Sequence, residues 1–264
     1  MDRVSAYWQF LRALGGTNLK TALAQRGHFA FQALFMLINN LTFFVFWWAL
    51  FRNVETIRGW VIGDVQLLYG LSAASYGVMV VLAGGVRQIS RWIDHGELDP
   101  LLVQPKATWL YAVASRSQPS GIGDIVSGVF FLAMSGRVYV GNSWLAVFSV
   151  LCGACVFLGG ALAFYSLAFW LSRTETLSRQ LTDFLILFTF YPDSLFSGPL
   201  RVVLFTVLPA GFITYLPVRL IRDERLILLP VLLLAAAGFL SLGVAVFQRG
   251  TRRYASGSRF GLWG

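Results

Sequence analysis

Residues 65–86 read VQLLYGLSAASYGVMVVLAGGV, a run of 22 positions without a charged side chain. A hydrocarbon core of roughly 30 Å needs about 20 apolar residues of helix, so this run is long enough to cross a bilayer. Backbone groups inside lipid must be hydrogen-bonded within their own segment, which favours a helix over an open sheet. The stretch therefore predicts a membrane-spanning helix.

The composition of the whole chain agrees with this interpretation. Hydrophobic residues make up 57% of the 264 residues and charged residues only 12%, against about 25% charged in soluble proteins. We predict an all-α integral membrane protein in which residues 1–264 form a single transmembrane domain with six transmembrane helices. The predicted spans are residues 31–51, 65–86, 120–136, 144–171, 200–216 and 226–247.

Basic residues predict the orientation of these spans, because cytoplasmic segments carry an excess of Lys and Arg. With both termini in the cytoplasm, the inner segments hold 13 basic residues and the outer segments six. The inner residues are Arg3, Arg12, Lys20, Arg26, Arg87, Arg91, Lys106, Arg173, Arg179, Arg249, Arg252, Arg253 and Arg259, and the outer ones are Arg52, Arg58, Arg137, Arg219, Arg222 and Arg225. The net charge of +9 therefore reflects membrane topology, and its scatter among spans does not favour nucleic-acid binding.

Both ends of the chain have their own predicted roles. Residues 1–28 form an amphipathic N-terminal segment whose apolar arc would lie in the membrane interface. The arc consists of Val4, Tyr7, Trp8, Phe10, Leu11 and Leu14. This segment either anchors the first span or also contacts a cytoplasmic partner. Residues 248–264 are predicted to be a basic cytoplasmic tail.

A few polar or reactive residues lie inside the predicted spans. Asn39 and Asn40 occupy the middle of the first span and either line a polar path or hydrogen-bond a neighbouring helix. Asp124 is close enough to the end of its span to reach the interface or Arg116. Cys152-x-x-Cys155 lies in an apolar run, so the two cysteines are interpreted as small packing residues. We predict no catalytic, cofactor-binding or metal site in the chain.

Small residues in two spans have the spacing that lets helices approach closely. The pairs are Ala73 with Gly77 and Gly159 with Ala163.

Residues 87–106, between the second and third spans, carry strong helix-end signals: RQISRWIDHGELDPLLVQPK. A short helix is predicted to run to His95 and to end with Gly96 at its C′ position. Asp99 and Pro100 then read as the N-cap and first residue of a second short helix. Two short helices joined by a sharp corner form either a rigid cytoplasmic protrusion or an ordinary interfacial elbow.

Residues 175–199 have an amphipathic pattern, with Arg179 and Asp183 as a predicted i,i+4 pair. We predict a helix that lies in the cytoplasmic interface and is broken at Pro192 and again near Pro199. The following span carries Pro209 and Gly211. Interrupted helices are tolerated where they line a cavity or are covered by protein, so these residues serve either gating or packing.

Two motifs resemble the permease subunits of type-2 ATP-binding-cassette (ABC) exporters, in a branch with short six-span chains. The first consists of Gly96, Leu98, Asp99, Leu101, Leu102 and Pro105; the second consists of Phe190-Tyr191-Pro192, Leu195-Phe196, Pro209, Phe212, Tyr215 and Pro217. Gln104 stands where the family often has an Arg. The resemblance implies that residues 87–106 form a coupling helix that docks on an ATPase. That role would fall to Arg91, Asp94, Gly96, Asp99, Pro100 and Leu102.

The resemblance also implies partners that the sequence itself requires. A phosphate-binding loop needs a Gly-Lys pair, and the only lysines are Lys20 and Lys106, neither of which follows a glycine. ATP and magnesium would therefore be bound by a separate ABC ATPase subunit. A second permease subunit, identical or paralogous, would complete the substrate pathway in the cell membrane among membrane lipids. The alternative is an integral-membrane enzyme or assembly scaffold, and the cargo and the export direction stay open.

Overall fold

The computed structural model describes residues 26–103, 107–171 and 173–254. Within those ranges the chain is built of helices and connecting turns, without a β-strand. The α-helices are α1 (Arg26–Phe51), α2 (Ile62–Ala83), α3 (Ile89–His95), α4 (Asp99–Leu102), α5 (Thr108–Ala114), α6 (Ser120–Met134), α7 (Ser143–Tyr165), α8 (Glu175–Thr189), α9 (Pro199–Thr206), α10 (Leu216–Arg222) and α11 (Leu228–Thr251). Residues 1–25, which hold most of the predicted interfacial segment, and 255–264 of the predicted tail lie outside the described residues.

In the described ranges, four helical stretches are long and apolar enough to cross a membrane: Ala30–Phe51, Ile62–His95, Ser143–Phe169 and Leu228–Thr251. The first, second, fourth and sixth predicted spans correspond to them. Ser120–Met134 is a shorter apolar helix where the third span was predicted. The chain is therefore a multi-pass membrane protein, and its described part holds four such stretches, or five if one bent helix pair counts as a span.

Small residues bring α2 and α6 into backbone contact. Glycines recur every seventh residue along Ile62–His95, at Gly63, Gly70, Gly77 and Gly84, and face Ser135, Gly128, Gly121 and Gln118 in antiparallel order. A Cβ atom on Gly77 would lie 2.6 Å from the carbonyl oxygen of Gly121, which is closer than real Cβ contacts. Without side chains in the way, the two helices pack backbone to backbone.

A second close approach joins α7 to α11. Gly159 faces the backbone of Phe239, and Gly243 faces the backbone of Gly159, so neither position has room for a Cβ atom. At the end of this pair the Phe169 ring lies directly over Gly250. The predicted close packing at Gly159 and at Gly77 is confirmed.

The helix α8 runs from one end of the bundle to the other. We call the end that carries the 52–61 loop the upper end and the end that carries residues 84–119 the lower end. At the lower end Ser178 Oγ donates to the carbonyl of Phe164 at 2.8 Å. Beyond the other terminus of α8, Arg58 in the upper loop donates to the carbonyl of Ser194 at 2.7 Å.

Between these points Ser72 Oγ and Thr189 Oγ1 lie 2.5 Å apart, inside the bundle. These contacts show that α8 is packed along the bundle, and the placement of residues 175–199 in the interface stays a prediction. The buried side of α8 carries Ser178, Thr182 and Thr189 together with Leu185. The predicted breaks are confirmed, since α8 ends at Thr189 before Pro192 and α9 begins at Pro199.

Residues 199–222 form a bent hairpin where a span interrupted at Pro209 and Gly211 was predicted at 200–216. Pro199–Thr206 and Gly211–Arg222 meet at 78°. Arg201 and Arg219 both pair with Asp193 at the upper end, so the hairpin leaves and returns on the same side. Pro209 at its bend is buried and reaches Gly160, on which an added Cβ would lie 4.0 Å from Pro209 Cγ.

The glycine contact between α2 and α6 predicts that the stability lost on a glycine-to-leucine substitution depends strongly on where the glycine lies. Gly77→Leu should lower the free energy of unfolding by about 3 kcal/mol or more, because the added side chain must push two backbones apart. Gly238→Leu is the matched control, since no atom lies within 4 Å of a Cβ there. Thermal unfolding of the detergent-solubilised protein measures both, and equal losses for the two variants would contradict the packing described.

Candidate functional site

The corner between α3 and α4 is fixed by the backbone of Gly96. This glycine has φ 74°, a left-handed conformation that L side chains resist. Its N–H donates to the carbonyl of Ile93 at 3.3 Å, and the N–H of Glu97 donates to the carbonyl of Trp92 at 2.8 Å. These two hydrogen bonds form a Schellman motif, which confirms the predicted helix end at Gly96.

The second short helix begins at Asp99, one residue earlier than predicted. The residue before α4 is Leu98, which is fully buried, and Asp99 is the first helical residue. The prediction of Asp99 as the N-cap is therefore wrong by one position. Pro100 lies in the first turn as expected. The burial of Leu98 anchors the start of this turn.

The base of this segment is tied into the bundle. Ile89 and Ser90 are fully buried. Ser90 Oγ donates to the carbonyl of Tyr165 at 2.9 Å, at the lower end of α7. Asp94 Oδ1 accepts the backbone N–H of Arg173 at 3.4 Å, in the connection from α7 to α8. The segment is therefore a rigid extension of α2 with contacts to two further elements.

The outer part of the segment is exposed. Of the six predicted coupling residues, Arg91, Pro100 and Leu102 are exposed, while Asp94, Gly96 and Asp99 are partly buried. Val103 was not predicted, although it is 85% exposed beside Leu102. Residues 104–106 lie outside the described residues. The exposed tip therefore carries aliphatic side chains next to charged ones.

A second candidate site is a half-open cavity of about 330 Å³ lined mainly by α1, α2, α6 and α8. Its lining side chains are Met36, Asn39, Asn40, Phe43, Tyr69, Ala73, Tyr76, Arg87, Asp124, Asp183, Ile186, Leu187, Phe190 and Tyr191. The volume falls at the lower end of the range for small-molecule pockets, about 300 to 1,000 Å³. Asn39 and Asn40, which were predicted to lie on a path or to bond a helix, both line this cavity.

Asn40 links α1 to α6 by hydrogen bonds. Its Nδ2 group donates to Asp124 Oδ1 at 2.9 Å and to Ser127 Oγ at 2.7 Å. Asp124 is only 2% exposed, so the prediction that it reaches the interface or Arg116 is wrong. A carboxyl group can be buried here because a neighbouring helix supplies an amide donor.

Asp183 lines the cavity, although the sequence pattern predicted it as the ion-pair partner of Arg179. The predicted pair of Arg179 with Asp183 is not formed; Arg179 pairs instead with Glu175, at 2.8 Å and also at i,i+4 spacing. Asp183 thereby stays on the cavity wall with Arg87 and Tyr76. Periodicity alone could not have chosen between two acids placed four residues before and after the same arginine.

The predicted gating residues Pro192, Pro209 and Gly211 lie at breaks in the helices. Pro192 is buried just beyond α8, and Pro209 lies at the bend of the hairpin. A Cβ atom on Gly211 would overlap the Phe205 ring, so glycine lets this ring pack against the backbone at the bend. Their burial shows how the breaks are covered by protein, and a role in gating stays a prediction.

An ion-pair network at the upper end was not predicted from the sequence. Asp64, 1% exposed, pairs with Arg137 at 2.9 Å and with Arg222 at 3.5 Å. Arg222 Nε also donates to Asp223 at 2.9 Å, and this hydrogen bond holds the pKa of Asp223 below its ordinary value. The network ties the start of α2 and the loop after α6 to the hairpin.

Comparison with known proteins agrees with this architecture. The family model of the ABC-2 family transporter protein matches residues 37–258, which is most of the chain. The chain belongs to the ABC-2 transporter family. A search of curated proteins and a search of solved structures each gave no match. An ABC-2 membrane protein is a transport subunit, and the family in general works with an ATPase.

The buried Asn40–Asp124 contact predicts a specific pattern of stability losses in this ABC-2 protein. Asn40→Leu should cost about 2–3 kcal/mol, because it leaves a buried carboxyl group without its donor. Asn39→Leu, one position along the same helix, is the control and should cost much less. The double variant Asn40→Leu/Asp124→Leu should recover part of the loss, measured by thermal unfolding in detergent. Losses that simply add in the double variant would contradict the contact.

Proposed function

We propose that this chain is the membrane subunit of an ABC exporter, driven by ATP hydrolysis in a separate ATPase subunit. Two permease subunits, identical or paralogous, form the substrate pathway in the cell membrane. The observation that carries the proposal is the segment 89–103, whose base is buried in the bundle and whose tip is exposed. Its residues coincide with the motif through which the chain resembles type-2 exporters.

The coupling role rests on the contacts of this segment. A 3-10 helix at Gly84–Gln88 joins α2 to α3, so Ile62–His95 is one helical stretch and a force on α3 is passed to α2. The exposed tip offers Leu102 and Val103 to an apolar groove, and Arg91 on α3 is also exposed. Exposed apolar side chains on a rigid projection favour a protein partner. We therefore assign ATPase docking to Arg91, Asp94, Gly96, Asp99, Pro100 and Leu102, with Val103 added.

The proposed topology keeps six crossings but changes the fifth. In this topology α8 forms the fifth crossing. The bent hairpin 199–222 enters the membrane from the outer side and returns to that side. Both termini then face the cytoplasm and the upper end faces outward, in keeping with the excess of basic residues at the lower end.

Most outer arginines of this topology are paired. Arg137, Arg201, Arg219, Arg222 and Arg225 each lie within ion-pair distance of Asp64, Asp193 or Asp223. Their positive charge is neutralised locally, which removes the main objection to placing them outside.

A second permease subunit is supported by the exposed side of α8. Asp183 and Gln180 are exposed on a helix that we place across the membrane. A carboxylate facing lipid is costly, and ionisable residues in such helices usually face protein or a water-filled cavity. We propose that the second subunit covers this side. The cavity between α1 and α8 would then open toward the subunit interface, where a pathway shared by two subunits belongs.

The coupling assignment predicts that Gly96→Val abolishes transport-stimulated ATPase activity of the assembled transporter while the chain still inserts and folds. A β-branched residue resists the positive φ at this position, so the corner should be lost. Gly136→Val is the matched control, because Gly136 also has positive φ, at 63°, but lies in an upper loop. Stimulation that survives in the Gly96→Val complex would overturn the assignment.

The topology predicts the side from which introduced cysteines are labelled. In a chain with Cys152 and Cys155 replaced by Ala, Glu55→Cys and Ser197→Cys should both react with a membrane-impermeant maleimide added outside intact cells. Thr176→Cys, near the start of α8, should react only after the cytoplasmic side is opened. Labelling of Glu55→Cys from the cytoplasm alone would reverse the orientation, and labelling of Ser197→Cys from there would restore an interfacial α8.

A further inference from the structure

Asp124 has an oxygen atom that the protein leaves without a partner. Its Oδ1 accepts from Asn40, whereas Oδ2 has no hydrogen-bond partner in the described part of the chain. The residue is 2% exposed and lines the cavity between α1 and α8. A buried carboxylate oxygen without a donor is costly. The position therefore lacks one hydrogen-bond donor, and the cavity is where a donor could come from.

The other side chains of the cavity specify the kind of molecule that could supply this donor. Tyr69 and Phe190 pack against each other with ring centroids 4.7 Å apart and form an aromatic wall. Tyr76 and Tyr191 add two further rings to the lining. Aromatic faces attract cations as well as flat apolar groups. A ligand with an aromatic or apolar body and a cationic end fits this lining.

The charges of the cavity favour a cation over an anion. Two carboxylates, Asp124 and Asp183, line it together with a single guanidinium, that of Arg87. Arg87 Nη1 donates to Gln118 Oε1 at 3.1 Å, so its hydrogen-bonding capacity is partly used. Because the free acceptor is a carboxylate oxygen, a charged group with an N–H donor serves it better than a quaternary ammonium.

We propose that this cavity binds an amphipathic organic amine, whose ammonium group donates an N–H to Asp124 Oδ2 while its apolar body packs on the aromatic wall. The body would lie along Tyr69, Phe190 and Ile186. A protonated amine that meets the carboxylate and a neutral amine that takes the proton from the carboxyl group form the same bound pair, an ammonium N–H donating to Oδ2. That this amine is cargo rests on the proposed transport function; that it binds does not.

The experiment measures binding to the permease alone, in lipid nanodiscs, by isothermal titration calorimetry. Tryptamine is the probe, and its N,N,N-trimethyl derivative is the comparison ligand, because it keeps the charge and the ring but has no N–H on the cationic nitrogen. Asp124→Asn should weaken tryptamine binding about 10- to 100-fold, the loss expected for a hydrogen bond to a charged group. Asp223→Asn, the same substitution outside the cavity, should leave the affinity unchanged.

A second variant keeps the result interpretable if Asp124→Asn folds poorly. Ala73→Leu fills the cavity from α2 without changing a charge and should weaken both ligands. Equal tryptamine affinity in Asp124→Asn and the unmodified chain, equal affinity for the two ligands, or no saturable binding at all would each overturn the proposal. Amine binding without ATP-driven amine transport by the assembled complex would support the site and count against the transport role. ATPase-coupled transport by a permease that binds no amine would overturn the amine site and support the transport role.

Discussion

Backbone contact between α2 and α6 is the constraint on which the rest of this structure depends. Gly63, Gly70, Gly77 and Gly84 follow one another at intervals of seven residues, and Gly121 and Gly128 oppose them. A seven-residue repeat keeps one face of a helix against its partner over several turns. Because no side chain separates the two helices, α6 is held where Asp124 meets Asn40 on α1. The same contact sets the lower end of α2, from which the exposed segment projects.

This arrangement links the two candidate sites mechanically. Tyr69 and Tyr76 of the cavity wall belong to one helical stretch, Ile62–His95, which ends at the Gly96 corner. Packed helices shift as rigid bodies, since close-packed interiors deform little. A displacement of the exposed tip would therefore move the cavity wall. At the upper end, Asp64 and Asp193 form ion pairs with arginines, and these ion pairs stabilise the position of the hairpin.

Much of the fold could be predicted from the sequence, and the failures have physical causes. Long apolar runs identified four crossings because lipid demands them, and the φ requirement of Gly96 identified the corner. Apolarity did not indicate the packing of α8 along the bundle, because its buried hydroxyl groups at Ser178 and Thr189 are hydrogen-bonded to neighbouring helices and so need no apolar surroundings. Apolar runs also did not predict the hairpin, because Pro209 bends an apolar stretch that is otherwise long enough to be predicted as a span. The glycine repeat was readable in the sequence, but its antiparallel partner was not, because pairing depends on tertiary contacts.

If a separate ATPase subunit powers this chain, as we propose, the permease itself should not bind nucleotide. Equilibrium dialysis with labelled ATP and magnesium can compare the purified, monodisperse permease with the same permease bound to its ATPase. We expect no micromolar binding by the permease alone, because its sequence has no phosphate-binding loop, and stoichiometric binding once the ATPase is present. Micromolar binding of ATP by the permease alone would overturn the proposal of a separate ATPase and would favour an integral-membrane enzyme instead.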